Sequence, residues 1–142
     1  MKFLIASVLV FMASLGLPAW ANGPSAEGQW LLSNGKLTVK VAYCDGVKLC
    51  GVISGLEHTL NDDGTEKLDF RNPNPSLRSR RVIGSPVFNG LVPDGDNRWK
   101  GKIYSADDGG VYRAYATLKG NAFEVKGCWI VFCKDLNFTR VK

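Results

Sequence analysis

Apolar and polar residues alternate along most of this chain with the two-residue period of a half-buried β-strand. The clearest case is Leu37-Thr38-Val39-Lys40-Val41-Ala42-Tyr43. Successive strand side chains point to opposite faces, so this segment offers one apolar face and one polar face. Asp45-Gly46 follows as a turn signal, and Leu49-Cys50-Gly51-Val52-Ile53-Ser54-Gly55-Leu56 returns as the hairpin partner. Its glycines mark a bend or a close approach of backbone.

The same reading predicts a first strand at Gly28-Gln29-Trp30-Leu31-Leu32, set off by the turn residues Ser33-Asn34-Gly35-Lys36. Strand character resumes at Pro86-Val87-Phe88, Leu91-Val92, Arg98 to Tyr104, Val111 to Leu118, Ala122 to Cys128, and Leu136 to Val141. At Asp107-Asp108-Gly109-Gly110 and at Lys119-Gly120-Asn121 the connections are short and turn-like. His58 to Val82 differs. It is a long polar excursion with a turn at Asn61-Asp62-Asp63-Gly64, a non-helical Asn72-Pro73-Asn74-Pro75, and room for a short helix over Ser76 to Arg81. With no long helical periodicity, no repeat and no linker, the expectation is one all-β, antiparallel domain of roughly eight strands. A closed barrel is favoured over an open sandwich because closure removes aggregation-prone edges.

Two residues at opposite ends of the chain support closure. Gly28-x-Trp30 opens the first strand and Arg140 lies in the last. In a meandering barrel those strands are neighbours, so Arg140 can stack its guanidinium on the Trp30 indole, a contact of about 0.5 to 2 kcal/mol. The arrangement resembles that of the lipocalins and related calycins. A longer pattern is more specific: Cys44-x5-Cys50-Gly51, Asp69-Phe70-Arg71-Asn72-Pro73, Leu77-Arg78-Ser79-Arg80, Gly84, Trp99-Lys100-Gly101-Lys102-Ile103-Tyr104, Gly110-Val111-Tyr112, and Gly127-Cys128 before Cys133 and Arg140. Together these resemble the bacterial secreted proteins grouped as domain-of-unknown-function family 2147, over essentially the whole mature chain. The resemblance implies a small periplasmic barrel of lipocalin-like architecture and no reaction. Arg81 stands where that pattern leads one to expect proline, and Thr139 where it leads one to expect a bulky residue.

The amino terminus changes how the cysteines are read. Lys2, the apolar run Phe3 to Leu17, and Pro18-Ala19-Trp20-Ala21 form a secretory signal with an A-x-A cleavage site. The run is too short to span a bilayer of about 30 Å comfortably, and no second run approaches that length. The expected organisation is a signal peptide over 1–21 and a barrel domain over 22–142, released to the periplasm or beyond after cleavage near Ala21. Cys44, Cys50, Cys128 and Cys133 then favour disulfides. Local pairing is expected, Cys44 with Cys50 across the Asp45-Gly46 turn and Cys128 with Cys133, although Trp129-Ile130-Val131-Phe132 contains no turn former. A four-cysteine zinc site is the competing reading. It is disfavoured by loops wider than the usual knuckle and by the oxidising compartment.

Charge and candidate chemistry refine this picture. The chain carries a formal net charge of +5, and Arg71, Arg78, Arg80 and Arg81 cluster without an intervening acid. Phe70 is the one aromatic near them, so a nucleic-acid partner is not expected. The single histidine, His58, lacks an orienting partner and a nucleophile, no catalytic motif occurs, and the paired aspartates lie in turns. Neither an enzyme nor a cofactor is expected. The polar cluster Asp69, Arg71 and Asn72, with Arg78, is either a rim that fixes the head of a ligand or a buried ion pair and turn that holds the excursion against the barrel mouth. Trp99, Tyr104, Tyr112 and Tyr115 either line a cavity or fill a small barrel. The first functional expectation is therefore a ligand-binding barrel for a small apolar or lipid-like molecule, with Asp69, Arg71, Asn72, Arg78, Trp99, Tyr104 and Tyr112 as its site. The alternative is an envelope interaction module with a filled core, acting through its basic loop.

Overall fold

The structure, a computed structural model, describes residues 25–141. The signal peptide and its cleavage site lie outside the described residues. Eight antiparallel strands run in chain order: β1 Gly28–Leu32, β2 Leu37–Asp45, β3 Lys48–Leu56, β4 Pro86–Pro93, β5 Arg98–Ser105, β6 Gly110–Lys119, β7 Ala122–Trp129 and β8 Phe132–Arg140. Each pairs with its neighbours in sequence, and β1 pairs with β8 to close the barrel. Trp30 stands opposite Arg140 at that seam.

Three details differ from the sequence reading, each for a local reason. Pro86-Val87-Phe88 and Leu91-Val92 belong to one strand, carried through a kink by Gly90 at φ 94°. β8 begins at Phe132 rather than Leu136, because the turn before it is a tight one in which Ile130 takes φ 54°. The short helix is a single 3₁₀ turn, Pro75–Leu77. Asn74 caps it by accepting from the backbone N–H of Ser76, and Pro75 at its first position needs no N–H partner.

An up-and-down barrel has two distinct ends. The lead-in Ser25 to Glu27 and the β2–β3, β4–β5 and β6–β7 turns share one end. The other carries the β1–β2, β5–β6 and β7–β8 turns and the whole excursion 57–85.

Alternation delivers the inward rows to the core. Trp30, Val39, Val41, Leu49, Phe88, Leu91, Trp99, Ile103, Phe123, Val125 and Phe138 are all buried there. Trp30 packs on Phe123 with ring centroids 5.3 Å apart, and Trp99 meets Phe123 edge-on at 6.3 Å. This aromatic stack fills the lead-in half of the barrel. Gly51 on β3 exists to admit the Phe88 ring: a Cβ there would lie 2.5 Å from Phe88 Cζ.

The lead-in end is sealed. The Trp30 indole N–H donates to the Ala26 carbonyl at 2.9 Å. The Arg140 guanidinium lies 4.2 Å from the Trp30 ring centroid and donates to the Glu27 and Ser25 carbonyls at 2.7 and 2.6 Å. One side chain thus joins the last strand to the segment before the first.

Both disulfides are local. Cys44–Cys50 braces the β2–β3 hairpin and Cys128–Cys133 the β7–β8 hairpin, one at each end of the barrel.

Candidate functional site

The excursion end collects most of the polar residues that the sequence singles out. At its centre is Asp69, whose side chain is fully buried. A carboxylate without solvent must find donors or it costs several kcal/mol, and Asp69 finds four. Tyr104 Oη on β5 donates to Oδ1. Asn72 Nδ2 donates to Oδ2 at 2.8 Å, and Arg80 donates to the same oxygen through Nε at 2.9 Å and its terminal nitrogen at 2.8 Å. Backbone bonds frame the knot: Asp69 N–H donates to the Arg80 carbonyl and Asn72 N–H to the Asp69 carbonyl. The result lashes both limbs of the excursion to the barrel wall at Tyr104.

The electrostatics follow from these contacts. Burial pushes the Asp69 carboxyl up, but the hydrogen bonds from Tyr104, Asn72 and Arg80 and the Arg80 charge outweigh it and hold the group below the usual carboxylate range. Burial, then the hydrogen bond to Asp69 and its negative charge, push the Tyr104 phenol up to about 12.

Other expected site residues attach to the same end. Arg71 donates to the Asp107 carbonyl of the β5–β6 turn at 2.8 Å. Gly109, at φ 71°, gives it space, since a Cβ there would fall on the Arg71 carbonyl oxygen. Arg78 Nε donates to the Asn72 carbonyl at 2.8 Å. Tyr112 on β6 donates to the Asp108 carboxylate, which lowers Asp108 and raises Tyr112. Trp99 is the outlier: it packs in the core at the lead-in end. Six of the seven candidate ligand residues are therefore gathered at one end.

The four arginines of the excursion divide into two pairs. Arg80 is neutralised by Asp69 and Arg81 by Glu66 at 3.0 Å. Arg71 and Arg78 donate to neutral carbonyls and make no ion pair among the described residues. The role of Arg80 was hidden in the sequence, where it is one cation among four. Only the eleven-residue return of the chain brings it to Asp69.

Inside this end, inward-pointing Leu32, Leu37, Tyr112 and Leu136 pack on the core while remaining half-exposed. Gly127 withholds a side chain from the same wall. They give this end of the barrel interior an apolar lining. Two concavities lie away from this end: a notch of about 280 Å³ beside Tyr43, Val47 and Trp99 at the lead-in end, and a groove of about 460 Å³ across Thr117, Glu124 and Asn137 on the flank of β6–β8.

Comparison with known proteins agrees with this architecture. The sequence profile of the family described as "Uncharacterized protein conserved in bacteria (DUF2147)" matches residues 28–140. The chain belongs to this family. The matched span runs from Gly28, which opens β1, to Arg140, which closes the seam. Among solved structures, protein HP1028 from Helicobacter pylori, described as belonging to the lipocalin family, superposes with a TM-score of 0.68 at 23% identity, covering 83% of this chain and 84% of that one. That likeness establishes a lipocalin-like fold for this DUF2147 member. No curated protein matches the sequence.

Proposed function

We propose that this exported barrel binds a small, largely apolar molecule with an anionic end, and that it does so at the excursion end. The observation that carries the reading is that half-exposed apolar side chains and two arginines without an acidic partner among the described residues lie at the same end of the barrel. Leu32, Leu37, Leu136 and Tyr112 would receive the ligand's body, and Arg71 or Arg78 its head. Asp69, Asn72 and Tyr104 serve the site from behind. Their hydrogen-bonding capacity is spent on one another, which fixes the excursion that carries the two arginines. A lipocalin-like fold is consistent with such a role.

The packing of the lead-in half favours a second reading. Trp30, Trp99 and Phe123 occupy the space that a deep calyx would need, which suits an envelope interaction module acting through the excursion. Displacement of a fluorescent fatty acid separates the two. Saturable binding that weakens about tenfold in Arg71→Ala or Arg78→Ala, with melting temperature little changed, supports the ligand reading. Failure of every apolar probe to bind favours the module.

A further inference from the structure

The β7–β8 turn spends stability on a surface feature that the fold does not use. Trp129, Ile130, Val131 and Phe132 are four consecutive apolar residues, and they are 60%, 63%, 79% and 72% exposed. None belongs to the core cluster. Val111 of β6, two positions beyond Arg113 on the strand that pairs with β7, is also exposed. Ile130 holds its place at φ 54°, a left-handed conformation that a β-branched side chain resists. Glycine or asparagine would make this turn without that strain. The tip is nonetheless held firmly. Cys128–Cys133 closes the hairpin directly beneath it, with Cα atoms 4.1 Å apart, and Arg113 donates to the Ile130 carbonyl at 2.6 Å.

Positive charge surrounds the tip. Arg113 stands opposite Lys102 on β5 and opposite Cys128 on β7, and Lys134 follows Cys133. None of Lys102, Arg113 and Lys134 makes an ion pair among the described residues. The neighbouring acids are occupied or offset: Asp135 meets Lys126 at 4.0 Å, and the Asp108 carboxylate accepts from Tyr112 and from Gly110 N–H. Asp107 alone remains on the adjacent turn.

We propose that this hairpin tip inserts into the interfacial layer of a bilayer bearing anionic headgroups and so seats the excursion end on the membrane. An indole belongs at the boundary between headgroups and acyl chains, with isoleucine, valine and phenylalanine beside it. Lysine and arginine at the same level meet lipid phosphates, and the two attractions add. A second copy of the chain is a poorer occupant, because a two-fold contact through the tip would set Lys102, Arg113 and Lys134 against their own images. The inference rests on the tip and its cations, not on the ligand reading.

Among the described residues Trp129 is the one exposed tryptophan, Trp30 and Trp99 being buried, so its emission reports insertion. Purified protein is mixed with vesicles of phosphatidylcholine containing a minority of phosphatidylglycerol, and with phosphatidylcholine alone. The expected result is a blue shift and vesicle flotation that are stronger on the anionic vesicles and weaken with added salt. The double variant Ile130→Gly, Val131→Ser loses at least about tenfold in partition, while its melting temperature holds or rises because the strain at position 130 is gone. Three results each overturn the proposal: no shift or flotation on either vesicle, equal binding by the variant, or a wild-type dimer by light scattering that the variant abolishes.

Discussion

Replacing Asp69 by alanine tests the reasoning about the excursion most directly. The carboxylate is fully buried and receives donors from Tyr104, Asn72 and Arg80. Its removal strands a phenol, an amide and a guanidinium. Breaking a buried ion pair costs about 3 to 5 kcal/mol. Arg80 keeps 27% of its side-chain surface exposed and recovers part of its hydration, which lowers the expected loss to about 2 to 4 kcal/mol. A domain of this size loses roughly 3 to 5 °C of melting temperature per kcal/mol, so thermal denaturation should shift down by about 10 °C. Limited proteolysis should show new cleavage within 57–85, since the knot ties that segment down. Arg80→Ala alone should cost less, and the double variant little more than Asp69→Ala, giving a coupling of at least about 1.5 kcal/mol. A shift under about 2 °C with an unchanged digest, or additive losses in the cycle, refutes the claim that this knot anchors the excursion.

Arg140→Ala removes the stack on Trp30 and two carbonyl contacts; a loss of about 1 to 3 kcal/mol is expected in urea titration, and an unchanged midpoint would count against the seam clamp. Gly51→Ala drives a methyl into the Phe88 ring and should cost about 1 to 3 kcal/mol through overpacking, relieved by Phe88→Leu in the same chain. The pH dependence has two limbs. Asp69 is held below its ordinary 3.8, so its contribution is present above pH 4 or so and disappears as acid carries the solution through the lowered folded value. Tyr104 is raised from 10.0 to about 12, so its contribution is complete below pH 10 and is lost as pH climbs from there towards 12. Melting curves of Tyr104→Phe should show a smaller alkaline limb, the remainder belonging to Tyr112, and a limb of unchanged size would refute the assignment.

The barrel was legible because alternation, turn residues and the two end markers Gly28-x-Trp30 and Arg140 are local signals that agree with one another. Cysteine pairing was legible for Cys44 and Cys50, which flank an evident turn. The Cys128–Cys133 hairpin was harder, since its turn is made by Ile130 against its own preference. The site was only half visible. Asp69 and Asn72 are near in sequence, and a buried pair holding the excursion was one of the two readings. What singles out Arg80 from Arg71, Arg78 and Arg81 is the path of the chain between residues 69 and 80, and periodicity carries no information about that path. The apolar run Trp129 to Phe132 did carry a signal, because four hydrophobic residues between two paired cysteines form a hairpin tip that lies beyond the core and so mark a surface.

The two disulfides join residues only six and five positions apart, and neither crosses the junction between β1 and β8. Oxidation can therefore finish hairpin by hairpin, in whatever order the segments become available, without waiting for the ends of the chain to find each other. Sealing the cylinder is left to the final strand, through three paired positions and one arginine. A chain shortened before β8 would keep one covalent brace yet offer two unpaired borders to its neighbours. Such truncations should polymerise rather than simply melt.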